Sequence, residues 1–538
     1  RNAWFSGGVE WNGPLYGHSL LTCSPIFAGI VETPNGPLLR LYEFDRSLET
    51  AWQVDVFLPA GDDRLWIHVR AINPNPHDIP FYWWTNIAVP LTAGTRVLSP
   101  ADYALAHVAA GLERIPFPDF DGFDGSYPRL YPYSKSVFFR KPGAQKPWCA
   151  SVDANGRGLA HVSTPTLFGR KLFVWGTGRG GKRWMDFLSQ PGGGDYIEIQ
   201  GGITPTQLQT RPLKAGTSIE WTECLVPFAM DAKAAHAADY ATACAAAASV
   251  LDQRVRDETL SELDRFLASQ VDTPISKLLH RGSAWGRLHE KRTGKKLASG
   301  LHFDTEAGEE ERPWTELLEA GTFSADTLAK SPRSFVVSPG WQTVLTESAR
   351  RHGWTWLHHL HLGVAQLEAG AFSEAWKHFQ ASVTLRENAH AYRNIALLEQ
   401  RDEKLDSAQQ NYERAWELAR PDANLAVEIG DFLLRHKRLE AFNAFVKSLP
   451  ATVRNHERLQ LMLAQVALEQ GDFATVRRIL LQREFATIRE GEVSLTELWF
   501  ASHIRQAQQR KGRELTSDEK GEVVRQFPPP RAIDFRMR

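Results

Sequence analysis

The sequence contains little cysteine, little methionine and almost no net charge. Of its 538 residues four are cysteine and four are methionine, and 62 Lys and Arg face 63 Asp and Glu, a formal charge of −1. The cysteines are too few and too scattered for a disulfide scaffold or a zinc site, which predicts a reducing, cytoplasmic setting. The balanced charge gives no basic field that would attract nucleic acid or an anionic membrane.

Long apolar runs are missing as well. No run reaches the roughly 18 residues that a membrane-spanning helix needs. Residues 1–20 have neither the basic start nor the apolar centre of a signal peptide. Because the chain opens on Arg1 and enters patterned sequence at once, we expect further residues ahead of it. At about 150 residues per domain, the length predicts three or four domains.

Aromatic residues are plentiful. The chain has 18 Trp, 28 Phe and 11 Tyr, a composition that excludes disorder and low complexity. Such residues serve either bulky cores or platforms for flat ligands such as sugar rings. The best platform candidates lie beside glycines and carboxylates in the first half of the chain, and they are Trp11, Trp84 and Trp175.

The character of the chain changes near residue 232. Up to that point, short runs of alternating apolar and polar residues are separated by turn residues, which predicts a large antiparallel β-sandwich over residues 1–232. Residues 233–345 are Ala-rich and broken by Gly and Pro, and we interpret them as linker helices with capping loops. Residues 486–538 are predicted to form a C-terminal helix and an extended tail.

Residues 346–485 carry a repeat of 33 residues. Its small residue recurs as Ala375, Ala408 and Ala441, and its aromatic residue as Phe379, Tyr412 and Phe445. This pattern is typical of tetratricopeptide repeats, in which the small residue lets one helix pack closely on its partner. His358 and His361 share a helix face here, but without a third ligand they predict no metal site.

Several polar clusters are candidates for chemistry, each with a purely structural alternative. Ser6–Asn12 and His18 bring Glu10, Asn12 and an imidazole together. The run Tyr196–Gln207 places Glu198 and Gln200 on one strand face, beside a Gly-Gly bend. Further acidic candidates are Asp45 in a strand and Glu310 in a loop. A turn, a surface ion pair or a solvated face would explain each pattern equally.

Five segments carry a resemblance to a known family. They are Ser6–Asn12, Trp83–Pro90, Phe173–Gly176, Tyr196–Thr204 with Gln207, and Ile533–Met537. Together they resemble a bacterial family known as domain of unknown function 5107, which is joined to tetratricopeptide repeats. The resemblance covers essentially the whole chain. It implies an antiparallel β-supersandwich of the galactose-mutarotase-like kind, followed by linker helices and an α-helical tetratricopeptide-like solenoid.

The resemblance also implies a carbohydrate ligand, because this supersandwich is shared by aldose epimerases and several glycoside-active enzymes. We therefore predict a glycoside hydrolase acting on an oligosaccharide through two carboxylates. Glu10 and Glu198 are the first choice, and Asp45 and Glu310 are the alternatives. The substrate-binding candidates are Trp11, Asn12, His18, Trp84, Asn86, Trp175 and Gln207. No cofactor is predicted.

Two other functions stay open. A cleft with aromatic residues and a single carboxylate would favour a non-catalytic sugar-binding module whose repeats dock a partner. A single His/Glu pair around a monosaccharide-sized pocket would favour an aldose epimerase-like enzyme. The repeats themselves could bind a peptide in their groove, form a homodimer, or pack against the β-domain.

Overall fold

A computed structural model describes residues 8–108, 111–419, 421–489 and 491–537. Ser6 and Gly7 of the first predicted motif lie outside these ranges. The chain divides into two compact units. Unit 1 comprises residues 1–308 together with 536–538, and unit 2 comprises residues 309–535. The segment 233–345, predicted as a linker, is thus divided between the two units.

In the described part of unit 1, twenty strands form because short alternating runs are separated by turn residues. They are β1 (Val9–Asn12), β2 (Phe27–Val31), β3 (Leu38–Asp45), β4 (Thr50–Phe57), β5 (Leu65–Ile72), β6 (Ile79–Phe81), β7 (Trp84–Pro90), β8 (Arg96–Leu98), β9 (Tyr103–Val108), β10 (Gly111–Ile115), β11 (Asp119–Phe120), β12 (Phe123–Asp124), β13 (Lys135–Arg140), β14 (Trp148–Val152), β15 (Arg157–Ser163), β16 (Gly169–Val174), β17 (Tyr196–Gly202), β18 (Arg211–Leu213), β19 (Ser218–Ala229) and β20 (Lys277–His280).

Two large antiparallel sheets dominate unit 1. The seven-stranded sheet has the order β1-β7-β17-β16-β13-β9-β10, and the nine-stranded sheet has the order β20-β2-β3-β4-β5-β19-β15-β14-β8. One apolar core joins them, with Ile87 and Ile199 from the first sheet and Val54 and Val69 from the second. Burying each such side chain contributes about 1.5–3 kcal/mol, so the core fixes which face of each strand points inward.

The helices of unit 1 are α1 (Arg179–Leu188), α2 (Ala232–Ala235), α3 (Tyr240–Arg254), α4 (Asp257–Gln270) and α5 (Trp285–Thr293). A second apolar core joins the outer face of the nine-stranded sheet to α3 and α4. It contains Trp66 and Val162 from the sheet, Leu251 from α3 and Leu267 from α4. Unit 1 is therefore layered, with the nine-stranded sheet in the middle and the seven-stranded sheet on one side of it.

The helices of unit 2 are α6 (Arg312–Glu319), α7 (Ala325–Ala329), α8 (Pro339–His352), α9 (Trp356–Glu368), α10 (Phe372–Leu385), α11 (Ala389–Arg401), α12 (Leu405–Ala419), α13 (Ala423–Arg435), α14 (Leu439–Ser448), α15 (Ala451–Arg454), α16 (Glu457–Glu469), α17 (Phe473–Leu481), α18 (Ser494–Lys511) and α19 (Ser517–Gln526). Among the described residues, no helix is long and apolar enough to span a bilayer.

Close packing of small on aromatic residues explains the repeat. A Cβ added to Gly363 of α9 would lie 2.5 Å from Cε1 of Phe379 on α10, so the two helices approach closely because that position is glycine. Phe379 and Tyr412 are both buried, as the 33-residue period predicts. In the third copy the buried positions shift by one residue, because Phe442 and Val446 are buried while Ala441 and Phe445 are only half-buried.

The closing motif of the chain contributes to unit 1. Both the backbone N–H and the hydroxyl of Ser134 donate to the carbonyl oxygen of Met537, each at 2.9 Å. A Cβ added to Gly180 in α1 would lie 1.7 Å from the carbonyl oxygen of Arg536, so only glycine allows this approach. The predicted architecture is confirmed: an antiparallel β-sandwich is followed by helices that include tetratricopeptide-like pairs.

Candidate functional site

A row of polar side chains crosses one face of the seven-stranded sheet. Glu10 on β1 is directly opposite Asn86 on β7, Asn86 is opposite Gln200 on β17, and Gln200 is opposite Lys171 on β16. Directly opposed residues of an antiparallel pair point to the same side of a sheet. The alternate residues of the same strands, such as Ile87 and Ile199, point into the core. We call this side of the sheet the polar face.

Glu10 lies at one end of the polar face and has three polar neighbours. The Nδ1 atom of His18 lies 3.1 Å from Oε1 and 3.2 Å from Oε2 of its carboxylate. The amides of Asn12 and Asn86 donate to Oε2 at 3.1 Å and 3.4 Å. The backbone N–H of Ser19 donates to Asn12 Oδ1 at 3.3 Å, which helps hold the loop that carries His18. Three residues predicted to bind substrate thus surround the predicted catalytic carboxylate.

Glu198 lies on the same face and belongs to a second hydrogen-bonded group. Gln200 Nε2 donates to Glu198 Oε2 at 2.6 Å, and Gln207 Nε2 donates to Gln200 Oε1 at 2.7 Å. Lys171 Nζ donates to Gln207 Oε1 at 2.5 Å. Glu198, Gln200 and Lys171 are all buried, so these contacts form in a low dielectric where they are strong.

The pairing register of the strands fixes the separation between Glu10 and Glu198. Glu10 pairs with Asn86 and Glu198 pairs with Ala88, so they are separated by one intervening strand and by two residues along it. Two inter-strand spacings of about 4.8 Å and two residue rises of about 3.4 Å put their Cα atoms about 12 Å apart. Two glutamate side chains can converge across such a gap, with Asn86 and Gln200 forming the floor between them.

The stacking role predicted for Trp84 and Trp175 needs correction. Trp84 is fully buried, its Nε1 donates to Thr204 Oγ1 at 3.2 Å, and a Cβ on Gly202 would lie 2.2 Å from its ring. Trp175 is also buried and stacks on Trp184 with a centroid distance of 5.7 Å. Neither indole presents a ring face to a ligand, because protein atoms already cover both.

Trp11 likewise departs from its predicted role. It pairs with Thr85 on β7 and therefore points away from Glu10, to the opposite side of the sheet. There it packs half-buried against the core between the sheets. Alternation along β1 decides this outcome, since neighbouring residues of a strand face opposite sides.

Other aromatic residues line the polar face instead. Phe138 and Phe173 lie with ring centroids 5.6 Å and 5.0 Å from Lys171 Nζ. Tyr16 is half exposed and its ring lies 5.3 Å from that of the buried Tyr82. Sequence reasoning missed all four together with Lys171. Alternation along β16 puts Lys171 and Phe173 on one face of the strand, and the register shows that this is the polar face.

Two predicted carboxylates do not belong to the seven-stranded sheet. Asp45 ends β3 in the nine-stranded sheet, where its Oδ1 accepts the backbone N–H of Ser47 at 2.8 Å and that of Leu48 at 3.0 Å. It therefore shapes the turn between β3 and β4. Glu310 belongs to unit 2 and its side chain is exposed, while its carbonyl accepts a hydrogen bond from Ser334 Oγ at 2.5 Å.

A second carboxylate–histidine pair lies inside the sandwich. Glu223 Oε2 is 2.8 Å from His161 Nε2, and its Oε1 accepts from Thr85 Oγ1 and from Trp221 Nε1, both at 2.9 Å. Burial lowers the pKa of His161, and the nearby Arg170 lowers it further. All these side chains are buried, and Trp221 belongs to the apolar core between the sheets, so we assign the pair to the core.

Burial also controls the ionisation of groups near the polar face. Desolvation, with smaller contributions from Tyr16 and Glu10, raises the pKa of Tyr82 far above its usual range, so its hydroxyl stays protonated. Desolvation, then Lys171 and Lys135, lowers the pKa of His107. Within the described part of the chain, no group of three or more His, Cys, Asp or Glu residues is placed to hold a metal ion.

Comparison with known families identifies unit 1. Residues 1–236 match the family model described as a domain of unknown function, DUF5107. The β-sandwich thus carries the match to DUF5107. The resemblance carried by the sequence motifs is confirmed over these residues.

Solved structures resemble the DUF5107 domain together with its repeats. A TPR-domain containing protein from Parabacteroides distasonis matches with a TM-score of 0.63 and 18% identity, over 99% of this chain and 80% of that one. This likeness shows the shared fold. A galactose mutarotase-like protein from Clostridium acetobutylicum matches 42% of this chain and 78% of its own length, with a TM-score of 0.31 and 12% identity.

A separate similarity covers the last helices. Residues 422–531 match the model of the N-terminal SD domain of the transcriptional regulator SIX1. Homeobox protein SIX3 of Oryzias latipes is 32% identical over 101 residues, which are 18% of this chain and 36% of that protein. The chain spans about a third of the length of this curated relative, and the match lies outside the DUF5107 domain.

Proposed function

We propose that the polar face of the DUF5107 domain binds an oligosaccharide and hydrolyses a glycosidic bond. The observation that carries this proposal is the placement of Glu10 and Glu198 on one sheet face with a single strand between them. Glycoside hydrolysis needs two carboxyl groups on either side of the scissile bond. Amide groups of Asn12, Asn86, Gln200 and Gln207 lie around them and suit the hydroxyl groups of a neutral sugar.

The surroundings of the two carboxyl groups suggest different roles. His18 Nδ1 lies 3.1 Å from Glu10 Oε1, and we assign to this pair the donation of a proton to the leaving oxygen as the glycosidic carbon–oxygen bond breaks. Glu198 accepts from Gln200 and acts at the anomeric carbon, where it takes the proton of the attacking water or bonds the sugar directly. The half-exposed Tyr16 provides the stacking surface at the Glu10 end.

The test is an activity screen of the full chain on a panel of oligosaccharides. Wild type is assayed beside Glu10→Gln and Glu198→Gln, which keep the size of each side chain but remove its charge. Each variant is expected to lose at least 10²-fold in kcat/KM. Asp45→Asn serves as the control and should keep its rate. Full activity in both Gln variants would contradict the proposal.

An epimerase-like activity is the second candidate, and the direct Glu10–His18 contact favours it. A paired acid and base can take the proton of the anomeric hydroxyl group and give one to the ring oxygen as its bond to the anomeric carbon breaks, and the reverse steps reclose the free sugar. Freshly dissolved monosaccharides followed by polarimetry would show this reaction. If sugars bind in calorimetry but neither reaction occurs, a non-catalytic sugar-binding module is the correct description.

We further propose that unit 2 docks an extended peptide, with a homodimer as the alternative. A groove of about 680 Å³ runs along α9, α11 and α13 and presents charged and amide groups that suit a peptide backbone. They include Arg386, Asn388, Arg393 and Asn394. Sedimentation equilibrium in the absence of peptide distinguishes peptide docking from a homodimer, because only a homodimer changes its average mass with concentration. The measurement is made on wild type and on Asn394→Ala.

A further inference from the structure

The hydrogen bonds that end on Glu198 all run in one direction. Lys171 Nζ donates to Gln207 Oε1, Gln207 Nε2 donates to Gln200 Oε1, and Gln200 Nε2 donates to Glu198 Oε2. Four side chains from β16, β17 and the following loop thus connect a cation to a carboxylate. We call these four residues the relay.

The chemistry of the groups requires this direction. An ammonium group has three donors and no acceptor, so Gln207 must turn its oxygen toward Lys171 and its NH₂ toward Gln200. Gln200 must then receive this donor on its own oxygen and offer its NH₂ to Glu198. The Glu198 atom that meets this NH₂ must accept a hydrogen bond, which a carboxylate does best.

We propose that Lys171 is a positioning residue that holds Glu198 in its ionised form through Gln207 and Gln200. Glu198 is then the base or nucleophile of the site, and the Glu10–His18 pair is the acid. Only this assignment of roles rests on the function proposed above. The effect of Lys171 on the ionisation of Glu198 depends on the relay and does not require the proposed function.

Burial gives the relay its strength. Lys171 and Glu198 expose only 4% and 5% of their surface, and Gln200 exposes 1%. The rings of Phe138 and Phe173 lie near the ammonium group and stabilise its charge. Removing the charge would therefore leave the two amides free to turn, and Gln200 would no longer be held as a donor to Glu198.

At the positions next to Glu198 on β7, β16 and β17, Lys171 is the residue that carries a positive charge. On its own strand, Tyr196 is two residues away on the same face, and the partner positions on β7 and β16 are Ala88 and Phe173. Beyond Asn86, β1 contributes Glu10 with its neighbour His18. Glu10 adds a negative charge, which opposes ionisation of Glu198, whereas Lys171 at the far end of the relay adds a positive charge, which favours it.

Carbon-13 NMR of the full chain, labelled at glutamate carboxyl carbons, tests the proposal without any substrate. The Glu198 resonance is the one that disappears in Glu198→Gln. In Lys171→Met its titration midpoint should move up by at least one pH unit relative to wild type, a tenfold change in proton affinity. Lys171→Arg should keep the midpoint close to the wild-type value, since arginine, like lysine, has donors and no acceptor.

Two controls keep the outcome decisive. Lys135→Met removes another lysine of the same sheet, whose Nζ donates to the carbonyl of His107, and should leave the Glu198 midpoint in place. Gln207→Leu keeps the lysine but interrupts the relay, and it should shift the midpoint upward as well. It also replaces Lys171→Met if circular dichroism shows that the latter does not fold.

An unchanged midpoint in Lys171→Met, or in Gln207→Leu when both fold, would overturn the proposal. If the midpoints shift as expected but no sugar is turned over, the proposed function fails while the relay stands. If sugars are cleaved and the midpoints do not move, the hydrolase stands and Lys171 has another role. The two failures are therefore distinguishable.

Discussion

His18 Nδ1 lies 3.1 Å from Glu10 Oε1, and both side chains are largely withdrawn from solvent, with 27% and 11% of their surface exposed. The loop from Gly13 to Thr22 brings the imidazole back to the strand it has just left. A carboxyl group and an imidazole in contact can pass a single proton between them. This contact is the most direct sign of acid–base chemistry on the polar face.

Replacing His18 should affect turnover more than stability. We expect His18→Gln to lower kcat/KM by 10²–10⁴-fold on whichever sugar is processed, because the proton carrier next to Glu10 is lost. The rates are measured by reducing-sugar release or polarimetry. His77→Gln, at an exposed position of a loop, should leave the rate unchanged. Equal rates for His18→Gln and wild type would remove the imidazole from the mechanism.

Tyr16 should contribute to sugar affinity. Its ring is half exposed beside Tyr82, so a sugar can stack on its outer side. We expect Tyr16→Ala to weaken binding about 10-fold, equivalent to about 1.4 kcal/mol. Tyr16→Phe should keep most of the affinity because the ring remains. Isothermal calorimetry measures both, and equal affinities for wild type and Tyr16→Ala would count against a stacking surface here.

Glu223 should be important for stability. Glu223→Ala leaves the hydroxyl of Thr85, the indole N–H of Trp221 and the imidazole of His161 without their shared acceptor inside the core. We expect the free energy of unfolding to fall by about 3–5 kcal/mol. Urea denaturation measures the change, with Glu113→Ala on the exposed edge strand β10 as the control. A loss below about 1 kcal/mol would show that the core tolerates these unpaired groups.

His361 should make unit 2 sensitive to acid. Burial among Trp314, Phe323 and Phe335 lowers its pKa to about 3, from the ordinary 6.5. Between these two pKa values His361 therefore stays neutral in the folded state and takes up a proton in the unfolded state. Below pH 6.5 the free energy of unfolding should fall by about 1.4 kcal/mol per pH unit from this residue, until the pH reaches the folded pKa.

The variant His361→Leu removes the titrating group and should flatten this dependence. Thermal unfolding at pH 7.5 and pH 5.5 gives the measurement, and the difference between the two pH values should be smaller in the variant than in wild type. The exposed His352→Leu is the matched control and should keep the wild-type difference. An identical pH dependence in wild type and His361→Leu would show that His361 is not responsible.

Part of the site follows from the sequence because it depends on neighbours along the chain. Alternation within β17 places Glu198 and Gln200 on one face, and alternation across Trp83 and Trp84 places them on opposite faces. Trp83 lies in the core between the sheets, while Trp84 packs with Tyr82 and Phe138 on the other side of the sheet. The 33-residue period of the repeats is equally local, since each helix pair packs mainly on its neighbours.

The tryptophans show which features cannot be predicted from neighbours along the chain. Trp84 and Trp175 have the glycine and carboxylate neighbours of a ligand platform, but Gly202 and Trp184 cover their rings. A glycine allows another group to approach closely, but the sequence does not show which group that is. Here it is another part of the same protein. Which side of an aromatic ring stays open depends on packing partners that are distant in sequence.

The strand and helix pattern, the repeat period and the resemblance of the β-domain to its family follow from the sequence, because each depends on local alternation or on short motifs. Tertiary packing is needed to bring Glu10, Asn86, Gln200 and Lys171 into one row across four strands. Register arises from the burial of the opposite face, where a slip of one residue would expose the whole apolar core. The polar face is therefore a consequence of packing that no single segment of the chain contains.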